Sequence, residues 1–318
     1  MRGIAVQGRR TEILFIGAYL AGFSQPEPSA SGLQIQEQCS VRSTSVAVNH
    51  ETFDLGSEPA LPARLERERI HFNKVAIRNF PPDLVMPLWS VRRYEHPSAD
   101  TSFPLEYAFY LLGDVRGRTI VDLGCGDGLN TVILASLGAR VIAIDISDKS
   151  LETTSNRVWA NRLEKKVLVV HGDAAAIPVE DGRVDGVLCS SLLRHVDCVA
   201  AARQIRRILK PGGVASFVEQ VNGPVWLAKV RSFLPRPEHV IDDERPLTLK
   251  QVCSVSRAVG RPGRSRKFML TSRILDRLGL RHFSAMQKSH MMDSWILRRF
   301  AFARALASPL VWEARKER

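Results

Sequence analysis

The sequence predicts an α/β protein built on a doubly wound, mostly parallel sheet of seven strands. Three observations predict it. Short β-branched runs alternate with amphipathic helical runs between residues 118 and 220, the pattern of successive βαβ units. A glycine-rich turn, VDLGCGDGLN at 121–130, joins the first strand-like run to the first helix of that alternation. Two further strand-like segments follow after residue 260. If they pair, the sheet gains an antiparallel C-terminal edge.

In chain order, residues 1–62 read as a weakly ordered leader containing SQPEPSASG and GSEPALPA, without sustained periodicity. Its basic start, the apolar run Ile13–Phe23 and the small residues that follow imitate a secretory signal. Glu12 at the edge of the run and the late position of the run argue against export, leaving a peripheral anchor or an unordered extension. Residues 63–112 form an N-terminal helical cap, with helical spacing in ARLERERIHFNKVAIRNF and from Pro104 through Leu112.

Residues 113–222 hold the nucleotide-binding core. RTIVDLG is its first strand, LNTVILASLG a helix ended by Gly138, and ARVIAIDIS the second strand. SDKSLETTSNRVWANRL follows as a helix with Ser147 as N-cap. KKVLVVHGD and GRVDGVLCSS are the third and fourth strands, DCVAAARQIRRILKPGG a helix stopped by Pro-Gly-Gly, and VASFVEQ the fifth strand. Residues 223–318 make a basic C-terminal region that completes the sheet. There PLTLKQVCSVSRAV and DSWILRRFAFARAL read as helices, RSRKFML as the sixth strand and PLVWEARK as the last.

Composition narrows the class. The 318 residues are 45% hydrophobic and 25% charged, values of a globular protein with a sizeable core. No run of 18 apolar residues occurs, so a spanning helix is not expected. The five cysteines are scattered and form no CxxC pair. That argues against a disulfide framework or a metal site and favours thiols in a reducing cytoplasm. The net charge of +12 is concentrated in residues 220–318, which carry 20 basic and 8 acidic side chains. Such a lobe attracts RNA, an anionic membrane surface or an acidic small molecule, or is simply a solvated arginine-rich face.

The glycine turn separates ligand classes. A dinucleotide fingerprint needs GxGxxG, but the third position here is Leu129, and a phosphate loop needs a GK[ST] ending that is absent. The pattern present is D-x-G-x-G-x-G from Asp122 to Gly128. Glycines without side chains let a ligand approach backbone N–H groups at a helix start. An aspartate on the strand end repels pyrophosphate and suits a ligand carrying an amine. S-adenosyl-L-methionine (SAM), with an ammonium and a carboxylate on one end, fits that asymmetry.

With its neighbours in order, the segment resembles motif I of class I SAM-dependent methyltransferases. The resemblance covers about residues 110–220 and is greatest to the methyltransferase type 11, quinone-biosynthesis-like subgroup acting on small molecules. It implies a Rossmann-like fold and a set of cofactor contacts. Gly124, Cys125 and Gly126 would line the methionine end beside Asp122. Asp145, with Ile146 after it, would grip the ribose hydroxyls, where charge-assisted hydrogen bonds are worth roughly 1.5–3 kcal/mol. Asp173 and the Ala174 N–H in HGDAAAIP would read the adenine, and Ser190 would close the pocket at the fourth strand. The product would be S-adenosyl-L-homocysteine.

Methyl transfer from a sulfonium is an in-line displacement, so alignment can supply much of the rate, up to about 7–11 kcal/mol. A base is needed only when the acceptor must lose a proton. His195, in the loop after the fourth strand, and Glu219, at the end of the fifth, are the catalytic candidates. The loop after the fourth strand has neither an Asn/Asp-Pro-Pro-aromatic motif nor a pair of glutamates, and no cysteine follows a proline. The apolar Leu192-Leu193 that stands there suits a small or lipid-like acceptor, methylated on oxygen or carbon. Two alternatives stay open: an RNA methyltransferase using the basic lobe, and a SAM-binding protein without catalysis. The expected setting is cytoplasmic; the stripe of Trp295, Phe300 and Phe302, lying between two strands, is expected to pack on the sheet, with peripheral membrane contact through it or through the leader as the alternative. No metal is expected, and the oligomeric state does not follow from the sequence.

Overall fold

The computed structural model describes residues 63–78, 80–223, 246–271 and 283–318. The expected leader lies outside the described residues. Helix α1 (Ala63–Arg78), the short α2 (Leu88–Arg92) and α3 (Pro104–Leu112) precede the core. The core then runs β1 (Thr119–Leu123), α4 (Leu129–Ser136), β2 (Arg140–Asp145), α5 (Asp148–Ala160), β3 (Val167–His171) and β4 (Val184–Ser190). It continues through α6 (Cys198–Ile208), β5 (Leu209–Glu219), α7 (Leu249–Val259), β6 (Arg261–Lys267), α8 (Phe283–Arg299), α9 (Ala301–Leu306) and β7 (Leu310–Arg315).

The seven strands form one sheet in the order β3-β2-β1-β4-β5-β7-β6. The first five are parallel, while β7 runs antiparallel to both β5 and β6. One face carries Ile120, Leu188, Val214 and Val311 into a core shared with Leu111, Phe109 and Ile133 of α3 and α4. The other carries Val121, Val187, Phe217 and Trp312 against Ile205 of α6 and Val255 of α7. Phe217 and Trp312 stack with ring centroids 4.8 Å apart across the β5–β7 boundary. With both faces covered, the parallel strands are almost uniformly apolar, as a doubly wound sheet requires.

Local chemistry sets the helix ends. Ser147 Oγ accepts from the Ser150 N–H at the start of α5, and Thr248 and Gln251 close a reciprocal capping box at α7. Three segments differ from the sequence reading. The α6 helix ends at Ile208, not at Pro-Gly-Gly, because Pro211 drives Lys210 extended and the extended conformation begins at Leu209. The residues before Val214 then join β5, with a register shift between Val184 and Gly186 on β4.

The sixth strand lies three residues earlier than expected. Phe268 leaves the ladder by donating to Pro309 O, and Met269 turns left-handed with φ 56°. The segment 293–306 is two helices rather than one, broken where Phe300 is extended. The Arg304 guanidinium satisfies the carbonyls of Leu297 and Arg298 that the break exposes, at 2.6 and 3.1 Å.

Candidate active site

The strand order reverses between β1 and β4, and ligands of open α/β sheets bind at the carboxyl ends of strands beside such a switch. The glycine turn sits there. Gly124, Gly126 and Gly128 have φ of 74°, 56° and 79°, a left-handed region that side chains rarely tolerate. Their surroundings differ. A Cβ at Gly128 would come within 2.9 Å of Thr154 Cα, whereas at Gly126 no heavy atom lies within 4 Å of that position. Gly128 therefore permits packing onto α5, and Gly126 opens onto space a ligand can fill.

Helix α5 holds the turn from behind. Thr154 Oγ1 donates to Gly126 O at 3.0 Å, and buried Arg157 reaches Asp127 O at 2.8 Å and Asp127 Oδ2 at 2.9 Å. Sequence reasoning missed Asp127, Thr154 and Arg157. The signal was the polar stripe Ser147, Ser150, Thr154, Arg157, which repeats at helical spacing and is buried throughout. A search for apolar faces passes over it.

Asp145, half-buried at the end of β2, accepts from Gly126 N–H through Oδ2 and from Ser147 N–H through Oδ1, both at 2.9 Å. Each oxygen keeps a lone pair for a hydroxyl. Burial raises its pKa, with the backbone donors pulling the other way. Asp122 is buried at the end of β1. Its Oδ2 accepts from Thr131 Oγ1 at 2.6 Å, while Oδ1 has no partner among the described residues. Burial, which outweighs the Thr131 bond, pushes the Asp122 pKa up to about 7. A buried carboxylate oxygen without a donor is costly and suits a cation brought by a ligand.

Cys125 faces inward. Its N–H, like that of Gly124, goes to Ile144 O, and its thiol lies 3.6 Å from Thr154 Oγ1. Burial raises that thiol well above its ordinary pKa. Ile146 O meets His171 Nε2 at 3.0 Å. Beyond β3, Asp173 Oδ1 accepts from Ala175 N–H at 2.9 Å, which shapes the turn and leaves Ala174 buried beside it. Ser190 ends β4 opposite Val218, and Ser191 follows with φ 59°. The structure thus gathers Asp122, Gly124, Gly126, Asp145, Ile146, Asp173, Ala174 and Ser190 at one edge of the sheet.

The two catalytic candidates stand on the β4–β5 side. Glu219 is fully buried, and its Oε1 accepts from Leu193 N–H at 2.6 Å, tethering the loop after β4. Its Oε2 is buried without a partner among the described residues, and burial lifts the pKa to about 7. His195 accepts from Arg194 Nε through Nε2 at 2.9 Å and stands edge-on to Phe72 with centroids 5.1 Å apart. Burial, then Arg194 and His71, push its pKa down to about 4. This imidazole is neutral near pH 7 and weakly basic. Phe72 brings α1 over the site. Asn73 Oδ1 accepts from Ser147 Oγ at 2.8 Å, and Arg69 pairs with Asp148.

The edge thus offers an orphaned carboxylate oxygen on Asp122, the half-buried Asp145 with lone pairs to spare, and an open glycine wall. Among the described residues no cluster of His, Cys, Asp and Glu could hold a metal ion.

The arrangement has known counterparts. Residues 121–217 match the family described as a methyltransferase domain, so this part of the chain is similar to methyltransferase domains. The chain is 35% identical over 149 residues to a ubiquinone biosynthesis O-methyltransferase of Bordetella avium (strain 197N), covering 42% of this chain and 59% of that protein. It is also 35% identical over 116 residues to a demethylmenaquinone methyltransferase of Clavibacter sepedonicus, covering 36% and 46%. The chain thus spans about half the length of these curated relatives. Among solved structures, geranyl diphosphate C-methyltransferase from Streptomyces coelicolor A3(2) aligns with a TM-score of 0.54 at 14% identity, over 81% of this chain and 100% of that one. The cyclase SpnF aligns with a TM-score of 0.54 at 15% identity, over 80% and 97%. At such identities the fold is shared, and one fold carries more than one chemistry.

Proposed function

We propose that this chain transfers the methyl group of SAM to a small-molecule acceptor, on oxygen or carbon, and releases S-adenosyl-L-homocysteine. The observation that carries the reading is the glycine turn clamped to Asp145 beside the orphaned Asp122 carboxylate. The bound cofactor supplies an activated methyl carbon open to in-line attack.

The residues of the chain bind, orient and exclude water. Asp145 and Asp173 fix ribose and adenine, with the Ala174 N–H directed at the ring and Ile146 beside it. Asp122 neutralises the ammonium, and the backbone from Gly124 to Gly126, with Cys125 buried beneath it, forms the wall along the methionine end. Ser190 closes the pocket. On the acceptor side, Glu219 acts as a positioning residue, holding the Leu192–His195 loop through the Leu193 N–H. His195, neutral and edged against Phe72, orients the acceptor. It can receive an acceptor proton at Nε2 only after Arg194 Nε turns away. The aromatic and apolar groups around it, Phe72 and Leu192, fit an isoprenoid or aromatic acceptor met in the cytoplasm.

The test is methyl-labelled SAM incubated with the full-length protein and extract of the source cells, with the label then partitioned among organic solvent, small solutes, RNA and protein. Label in the organic or small-solute fractions, absent with Asp145→Ala, is the expected result. Label in nuclease-sensitive precipitate, or in no fraction, would overturn it.

A further inference from the structure

The α8 helix is amphipathic in the wrong sense. Its inward side is largely polar: Ser289, His290, Asp293 and Ser294 are buried alongside Leu297, with Asp293 only 2% exposed. Its outward side is apolar: Met291 and Trp295 are each 63% exposed, and Met292 is exposed beside them. The α9 segment extends that surface. Phe302 is 72% exposed and lies 5.8 Å from Phe300, which in turn lies 6.0 Å from Trp295. A contiguous exposed aromatic patch is more than the scattered apolar residues every surface carries.

The inward polar groups explain half of the inversion. Asp293 receives the N–H groups of Leu270 and Thr271 at 2.9 and 2.8 Å and the Thr271 hydroxyl at 2.6 Å. Ser294 Oγ accepts from Arg266 at 2.9 Å. The helix is therefore fastened beyond β6 by hydrogen bonds as well as by a small apolar cluster of Leu297 and Ile296 with Leu270, Ala303 and Ala307. Nothing in this fastening calls for tryptophan, phenylalanine and methionine outside.

Charge indicates what covers them. Lys288 and Arg299 are exposed on this side, while Arg298 pairs with Asp100 at 3.1 Å and Arg304 is engaged by the carbonyls of Leu297 and Arg298. Between residues 283 and 306 the single acid is Asp293, and it is turned inward. Aromatic rings beside exposed Lys288 and Arg299, on segments whose single acid is turned inward, match an anionic lipid headgroup layer over an acyl boundary. Position agrees as well. Lys267 at the end of β6 and Glu219 at the end of β5 both pair with Leu310, so the patch shares the sheet edge at which the acceptor must enter.

We infer that the outward face of α8 and α9 docks on the surface of an anionic bilayer, with Trp295, Phe300 and Phe302 inserted and Lys288 and Arg299 at the phosphates. The inference does not need the methyl-transfer reading, since the exposed aromatic and basic side chains of α8 and α9 carry it.

Flotation of the full-length protein tests it, using phosphatidylglycerol–phosphatidylcholine vesicles against phosphatidylcholine alone. Wild type should float with the anionic vesicles only. Trp295→Ser with Phe302→Ser should lower the bound fraction on the order of tenfold, and Lys288→Glu with Arg299→Glu should shift binding to lower salt. All four positions are exposed, so thermal melting should stay unchanged. Failure of wild type to float, or equal flotation of the aromatic variant, would overturn the proposal. So would conversion of a dimer to a monomer by that variant in sedimentation, which would make a second copy of the chain the occupant. Labelled-SAM turnover on the same samples keeps a failure of docking distinct from a failure of catalysis.

Discussion

The two flanks of the sheet are built by different means. On the β1–β2 side, each bend of the glycine turn is met by a named partner: Ile144 O for Gly124 and Cys125, Asp145 for Gly126, Thr154 and Arg157 for the carbonyls behind. On the β6–β7 side, one carboxylate, Asp293, gathers three donors after β6, and the helix that carries it shows its apolar residues to solvent. The first flank is over-determined around a ligand of fixed shape. The second is fastened at few points, an arrangement suited to a surface that meets acceptors or lipid. On the proposed reading, rigid placement of the cofactor and a looser acceptor side would let one scaffold serve different substrates.

This contrast can be broken by substitution. Gly128→Ala should have the largest effect, because its Cβ meets Thr154 backbone at 2.9 Å in a left-handed conformation. The expected loss is about 2–4 kcal/mol in chemical denaturation. Gly126→Ala faces open space and should cost stability only about 1–2 kcal/mol while weakening SAM binding much more. Equal stability losses at the two glycines would erase the distinction between packing and cradle.

Glu219→Gln addresses the acceptor side. The pKa of Glu219 is raised in the folded protein to about 7, so the native state holds a proton that the unfolded chain releases. Its contribution is therefore complete below the unfolded value near 4.5 and lost as pH rises through about 7. The glutamine variant should gain on wild type as pH rises, reaching about 3 kcal/mol above pH 7, read from urea midpoints. His195 and His290, each pushed down to about 4 mainly by burial, act oppositely. They add stability as pH rises between about 4 and 6.5. The pH profile of wild type should therefore be flatter than that of Glu219→Gln. Arg157→Met should cost about 1–3 kcal/mol by leaving Asp127 without its buried donor.

Much of the cofactor flank was legible because it is local. Glycines that need left-handed backbone, an aspartate closing each strand and β-branched runs of fixed length all leave marks within ten residues. The Ser147 cap and the number of strands followed from the same short-range rules, while the bounds of the fifth and sixth did not. What was not legible depends on distance. Arg157 lies 30 residues from the Asp127 it holds, and Phe72 meets His195 across more than a hundred. The split at Phe300 rests on Arg304 recapturing two carbonyls, which no periodicity reports. Likewise, the early start of β5 comes from Pro211 acting backward on its neighbours, against the usual reading of Pro-Gly-Gly as a stop.

The most direct test of the SAM site is a calorimetric titration of SAM into wild type and Asp122→Asn, from about pH 5.5 to about pH 7. Asp122 is raised to about 7, and an ammonium beside it favours its charged form. Affinity of wild type should therefore strengthen across that range with release of a proton, while the asparagine variant binds more weakly and without that dependence. Absence of SAM binding at every pH, or the same pH-independent affinity in both proteins, would contradict the assignment.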